Sequence, residues 1–222
     1  MTPVEVIKHY LPPTNLVPNS PRPLLHYPGF LSKQCAQSPN AAAVECYGIF
    51  EANGWHTQWV IRYGTTQSAH YHSRAHECMV VLSGSATIRF GVADTDDDLE
   101  KSTYGAARED GGVEIRAAPG DVFVIPAGVA HKTHDAAPRA PFAILTPGDG
   151  HAIDARDPRR FLADVELTGF TMMGAYPAGA GEWDFAKGGE DVGHFDRVWA
   201  VGKPAKDPIL GEAEEGLGGL WQ

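Results

Sequence analysis

Basic residues are scarce in this sequence. Its 222 residues include 18 Lys and Arg against 28 Asp and Glu, a formal net charge of −10. So acidic a chain offers no cationic face to a phosphate backbone or an anionic bilayer, which argues against nucleic acid and membrane as partners. Long apolar runs are also missing: no stretch approaches the roughly 20 residues that span a bilayer. The opening MTPVEVIKHYLPP has no basic region followed by an apolar core, so no secretory signal is read there and the cytoplasm is the expected compartment. Cysteine is rare. Cys35, Cys46 and Cys78 are an odd number without CxxC spacing, which argues against a disulfide framework or a zinc knuckle and leaves three reduced, buried thiols.

What the chain does have is hydrophobic content of 43%, 17 prolines and 25 glycines. That is a globular composition, long enough for one sizeable core. One domain over 1–222 is expected, with a wrapping segment and short helix over 1–53, a barrel over 54–176 and a C-terminal segment over 177–222. Residues 1–40, rich in Pro and Asn, have room for no helix beyond a first turn or two at Pro3–Tyr10. Val44, Tyr47 and Phe50 recur at helical spacing and predict a helix over Ala41–Asn53; Asp157 before Pro158 predicts another over Asp157–Val165. Gln58–Tyr63 alternates, with Trp59, Ile61 and Tyr63 on one face and Gln58, Val60 and Arg62 on the other, as a strand does. Ala86–Phe90 is expected to continue a hairpin after Gly84, and Thr168–Tyr176 and Asp196–Val201 to be further strands. Cys78–Ser83 and Val122–Ile125 are apolar without alternation, so both faces need cover. One face belongs to the barrel interior. The other is left to the terminal segments or to a second subunit, so a homodimer is expected. Val92–Gly112 holds much of the acidic excess but lacks the register of a calcium loop, and a solvated hairpin loop is expected there.

Histidine carries the chemistry. His70 and His72 are two apart, which puts both on one side of an extended segment, and Glu77 follows after a stretch long enough for a turn. His131 comes just after a Pro-x-Gly turn that ends the apolar run Val122–Ile125. A His-x-His pair alone arises by chance on exposed strands. Three imidazoles and a carboxylate framed by glycines and a proline at fixed offsets arise by chance far less often. Two other readings fail: LSGSA at 82–86 is not a G-x-S-x-G nucleophile elbow, and AGAGEWD at 178–184 lacks the strand and helix of a nucleotide-binding turn.

Gly64, His70, His72, Glu77 and Gly84 match every fixed position of the cupin motif Gly-x5-His-x-His-x4-Glu-x6-Gly. Gly120, Pro126, Gly128 and His131 match its second motif, with Asp135 where that motif has Asn. The chain therefore resembles the cupins. Through PNSPRPLLHYPG, NGWHTQW, AHYHSRAHE and GAYPAGAGEWD it is similar to the functionally unassigned, single-domain bacterial cupins of the YjlB type. The resemblance implies an all-β double-stranded β-helix, a jelly-roll barrel with one or two short peripheral helices and a metal inside.

An N3O1 set of His70, His72, Glu77 and His131 suits one divalent transition metal ion per chain, Fe, Mn, Ni, Zn or Cu, and does not suit calcium. Four protein ligands leave room for a small-molecule ligand or substrate. A metal-dependent oxidoreductase of the dioxygenase type is the leading expectation. The alternatives are a non-catalytic small-ligand, metal-binding or sensor cupin, a sugar or keto-acid isomerase, and a barrel in which the metal only stabilises the fold. Candidate acid–base groups are His76, His134, Arg62 and His56, each also at home as a surface or structural residue. Trp59, Tyr63 and Phe90 are candidates to line a substrate pocket, with core packing as their other explanation, and Tyr71, between the two histidines, is expected to point out of the barrel.

Overall fold

Alternation and turn chemistry decide most of the path of the chain. The structure, a computed structural model, describes residues 4–180 and 182–221. Among the described residues it contains the strands β1 Ile7–His9, β2 Leu24–Tyr27, β3 Trp55–Arg62, β4 Glu77–Ser83, β5 Ser85–Phe90, β6 Val113–Ala117, β7 Val122–Ile125, β8 His131–Ala137, β9 Ala143–Ile144 and β10 Thr171–Pro177. The helices are α1 Ser32–Gln37, α2 Pro39–Ala52, α3 Leu99–Tyr104, α4 Pro158–Asp164, α5 Phe195–Trp199 and α6 Leu217–Leu220. None is long and apolar enough to cross a membrane.

The strands form two antiparallel sheets, one in the order β1-β2-β7-β4-β10-β3-β9 and one in the order β6-β5-β8. Their facing sides share one apolar layer: Met79, Val81, Phe123, Ile125 and Met172 from the larger sheet meet Ile88, Phe90 and Ala136 from the smaller. This is the all-β jelly-roll arrangement, two sheets closed around a filled interior.

The outer face of the larger sheet is covered as well. Cys78, Val80, Leu82, Val122 and Val124 pack against Leu31 and Cys35, against Ala43, Cys46 and Phe50 of α2, and against Leu162, Ile209, Leu217 and Trp221. The two-faced apolar strands are thus buried within one chain, and the uncovered face that motivated a homodimer is filled by the chain itself. Burial alone, at roughly 25 cal/mol per Å² of apolar area, makes this second layer a major part of the stability.

α2 begins where a proline follows a cap: the Ser38 hydroxyl accepts from the Ala41 amide and Pro39 opens the helix. α4 uses the same device with Asp157, which accepts from the Arg160 amide at 3.1 Å. The acidic region differs from the expected solvated loop. Asp98 caps α3, and Arg89 donates to the Ser102 and Thr103 carbonyls at 3.1 and 2.8 Å, holding that helix to the barrel. Four expectations are corrected. Residues Ile7–His9 pair with β2 as a strand rather than turn as a helix; Pro3 lies outside the described residues. Asp196–Val201 falls largely in α5, where the Trp199 indole donates to the Pro18 and Asn19 carbonyls. Gly84 does not close a hairpin within one sheet: β4 and β5 belong to different sheets. The chain crosses there with φ +69°, where a Cβ would stand 2.5 Å from the Gly169 carbonyl oxygen, so only glycine fits. The short helices also number more than one or two, because the tail folds as helical turns against the outer layer.

Candidate metal centre

The two motif segments face each other through the backbone. The His70 amide donates to the His131 carbonyl at 3.1 Å, the His131 amide returns the bond at 2.8 Å, and the Gly128 amide donates to the His72 carbonyl at 2.9 Å. The histidine pair was expected on a strand that turns back into β4. It forms only isolated bridges, His70 with His131 and Tyr71 with Ala186. The parity survives, because the segment is extended: His70 and His72 point inward, and Tyr71 points the other way. Tyr71 is buried among Leu16, Val17, Ala93, Ala130 and Ala186, with its hydroxyl on Asp191 at 2.8 Å.

One ring nitrogen from each of His70, His72 and His131 lies within 4.8 Å of the other two. Their second nitrogens are all committed. Nδ1 of His70 donates to the Ser68 carbonyl at 3.2 Å, Nδ1 of His131 to the Val129 carbonyl at 3.1 Å, and Nδ1 of His72 to the Asp184 carbonyl. A carbonyl only accepts, so each Nδ1 carries a proton, and in the neutral ring each Nε2 presents a lone pair. Glu77 stands among them, Oε1 3.2 Å from His72 Nε2 and Oε2 3.3 Å from His131 Nε2. All four side chains are buried, at 7% exposure or less.

The electrostatics follow from burial and crowding. Burial, with His131 and His72 nearby, pushes His70 well below the usual histidine value. Burial also lowers His131, partly opposed by Glu77. On His72 burial is outweighed by the Glu77 carboxylate and the Asp184 carbonyl, which together raise it. Burial would make Glu77 neutral, but His72, His131 and the Tyr176 hydroxyl hold it down to about 2. The centre therefore keeps a carboxylate among three imidazoles, two of them, His70 and His131, favoured in the neutral form that presents a lone pair. Glu77 Oε2 is buried without a hydrogen-bond partner. Such an array is costly unless a cation or a shared proton sits in it, and N3O1 is a donor set that first-row divalent ions take. The residues present fit a metal ion.

Two groups near the histidines and Glu77 were not expected from the sequence. Tyr176, on β10, donates to Glu77 Oε1 and lies 3.3 Å from His72 Nε2. A short segment after β10 roofs the centre. Phe185 stacks on His70 with ring centroids 3.8 Å apart, and Trp183 meets the edge of His72 at 5.3 Å and stacks on Tyr176 and His151. Between them Asp184 accepts from the Ser73 amide and hydroxyl and the Arg74 amide at 2.7–3.2 Å. The only sequence signal for this roof was its aromatic and acidic content.

The other candidates lie elsewhere. His76 points to the outer layer, with Nδ1 accepting from the Ala127 amide at 2.9 Å, Nε2 donating to the Gly202 carbonyl at 3.1 Å, and its ring packed on Trp221. His134 lies opposite in parity to His131 and pairs with Asp135 at 3.0 Å. Arg62 donates to the Pro141 carbonyl and the Thr168 hydroxyl, tying loops together, and His56 is exposed beside Glu51. Trp59, Tyr63 and Phe90 surround the centre as packed core: Trp59 donates to the Tyr176 hydroxyl at 3.2 Å, Tyr63 packs on Phe170, and Phe90 lies 6.5 Å from the His131 ring and packs on Phe123. Asp135 replaces the motif Asn at φ +54°, a conformation Asn and Asp both tolerate, and accepts from the Tyr104 hydroxyl.

A family model described as Cupin matches residues 58–153. The uncharacterized protein YjlB of Bacillus subtilis strain 168 is 28% identical over 216 residues, 95% of this chain and 93% of that protein. Among solved structures, procruciferin, an 11S globulin from Brassica napus, aligns at TM-score 0.29 and 10% identity over 58% of this chain and 21% of its own. The oxalate decarboxylase of Lactobacillus farciminis, in a formate complex, aligns at TM-score 0.29 and 12% identity over 59% of this chain and 27% of its own. This chain spans about a quarter or less of those two longer proteins. The family model lies across both motif segments and the YjlB protein is similar over nearly its whole length, so the chain is similar to the cupins and, among them, to YjlB.

Proposed function

We propose that this chain holds one divalent transition metal ion through His70, His72, Glu77 and His131 and acts there on a small molecule, as an oxidoreductase of the dioxygenase type. The observation that carries the metal reading is the set of three Nδ1–H bonds to backbone carbonyls, which turns three Nε2 atoms toward a buried carboxylate oxygen with no partner. When bound, Fe, Mn, Ni, Zn or Cu supplies Lewis acidity, and the redox-active ones one-electron chemistry with O2. The chain's own residues do the rest. The carbonyls of Ser68, Val129 and Asp184 orient the imidazoles, Tyr176 holds the proton that faces Glu77, and Trp183 and Phe185 keep water from the ligands. Four donors are fewer than the five or six that Fe(II), Mn(II) and Ni(II) accept, which supports a place for a ligand on those ions. The three cysteines, free and buried, suit a reducing cytoplasm.

A second reading is a non-catalytic binder or sensor. It draws on the placement of His76, His134, Arg62 and His56, all engaged away from the centre, and on the aromatic roof over it. Metal analysis of protein purified without added metal tests the common part: about one divalent ion per chain is expected, and protein that holds none after being offered Fe(II), Mn(II), Ni(II), Zn(II) and Cu(II) would sink it. Oxygen uptake by Fe(II)-loaded protein across a small-molecule panel separates the two readings, since a binder consumes none.

A further inference from the structure

The two oxygens of Glu77 have different surroundings. Oε1 accepts from the Tyr176 hydroxyl, whereas Oε2 is buried with no hydrogen-bond partner. The hydroxyl has one proton and two neighbours that could take it, Glu77 Oε1 and His72 Nε2. Its own oxygen accepts from the Trp59 indole at 3.2 Å, so the indole blocks a lone pair and the proton is left to point into the centre. The charged and closer acceptor is the carboxylate.

The fold goes to some length to place this phenol. Met172 and Tyr176 lie on the interior face of β10 with Gly174 between them at two-residue spacing, and the register with β3 shifts between Gly174 and Ala175. The Trp59 ring lies against the bare Gly174: a Cβ there would stand 2.1 Å from it. The missing side chain lets the indole lie flat and bring its N–H to Tyr176.

We propose that Tyr176, held by Trp59, is a positioning residue that occupies Glu77 Oε1 and so makes the carboxylate a one-oxygen ligand through Oε2. This deepens the metal-centre reading and rests on it. A two-oxygen carboxylate would fill a position that a small molecule needs; a carboxylate tied back at one oxygen leaves that position free.

Co(II) is the probe, because its visible absorption responds to coordination number. In Tyr176→Phe the ring packing stays and only the hydroxyl goes. The expected result is Co(II) affinity lower by about 10- to 100-fold, as for loss of a group orienting a ligand, together with a changed visible spectrum and a metal-free protein that still melts cooperatively, at a lower temperature because the buried Trp59 indole loses its acceptor. Affinity and spectrum both equal to wild type would overturn the proposal. Wild-type protein that takes up no Co(II) would overturn the metal centre itself, and this proposal with it. Should Tyr176→Phe fail to fold, Trp59→Phe frees the phenol from its anchor: a spectrum shifted in the same direction supports the proposal, and one identical to wild type counts against it.

Discussion

At the level of single residues, the centre is held by what each imidazole does with its outer nitrogen. A histidine with both nitrogens free could rotate or protonate on either side; here a carbonyl selects the tautomer three times. His72→Ala removes one lone pair and leaves the apolar layers on both sides of the sheet in place. Tight metal binding should therefore be lost while the cooperative melt of the metal-free protein persists. Metal analysis beside a thermal melt checks this, and a fold that disappears together with the metal would favour a purely structural ion. That His70 and His72 share one side was legible from spacing, because the extended backbone sets the side of every second residue. Tyr176 was not, since it comes from a strand 99 residues further on.

Secondary-structure elements are joined by a few buried polar contacts whose loss is measurable. Asp121, on the turn entering β7, accepts from the Gly29 amide at 2.7 Å and the Ala118 amide at 2.9 Å, and faces His26. Burial would raise this carboxyl, but the His26 contact and the two amides hold it below its usual 3.8. The folded protein thus binds fewer protons there than the unfolded chain. The resulting stability is present above about pH 4 and is lost as pH falls through the depressed native value. Asp121→Asn can satisfy only one of the two amides. It should cost about 1–3 kcal/mol at neutral pH and flatten the acid limb of a plot of melting temperature against pH; an unchanged acid limb would show that Asp121 does not titrate in folding. The element types were mostly readable: strands β3, β4, β5, β7 and β10 and helices α2 and α4 lie where alternation, two-faced apolar runs and caps put them. α5 was read as a strand because Val198 and Trp199 suit strands locally, and a strand needs a neighbour that local sequence does not reveal.

For the molecule as a whole, the tail completes the core. Asp207 accepts from the Tyr27 hydroxyl and from the amides of Ile209, Leu210 and Leu217. The Trp221 indole, fully buried, donates to the Pro23 carbonyl at 2.8 Å and packs on His76. The C-terminal segment is thereby pinned to the N-terminal one across the outer face of the larger sheet. Trp221→Ala should destabilise the fold by about 3–5 kcal/mol, as truncation of a large core aromatic does. Urea unfolding measures it, and a loss under about 1 kcal/mol, the range of surface changes, would mean the tail is dispensable.

By itself, the sequence determined that His70 and His72 share a side and meet His131, and that Cys78–Ser83 and Val122–Ile125 are buried on both faces. These follow from the parity and sterics of a few consecutive residues, which covalent geometry transmits unchanged. Tertiary structure alone decided that the chain changes sheets at Gly84, that its own helices and tail cover the outer face, and that Tyr176 and the roof of Trp183, Asp184 and Phe185 close on the histidines. Each of those brings together residues far apart along the chain, 112 positions for His72 and Asp184. No local period encodes such a meeting: it is selected by whichever closure of the whole chain buries the most apolar surface while leaving the fewest polar groups without a partner.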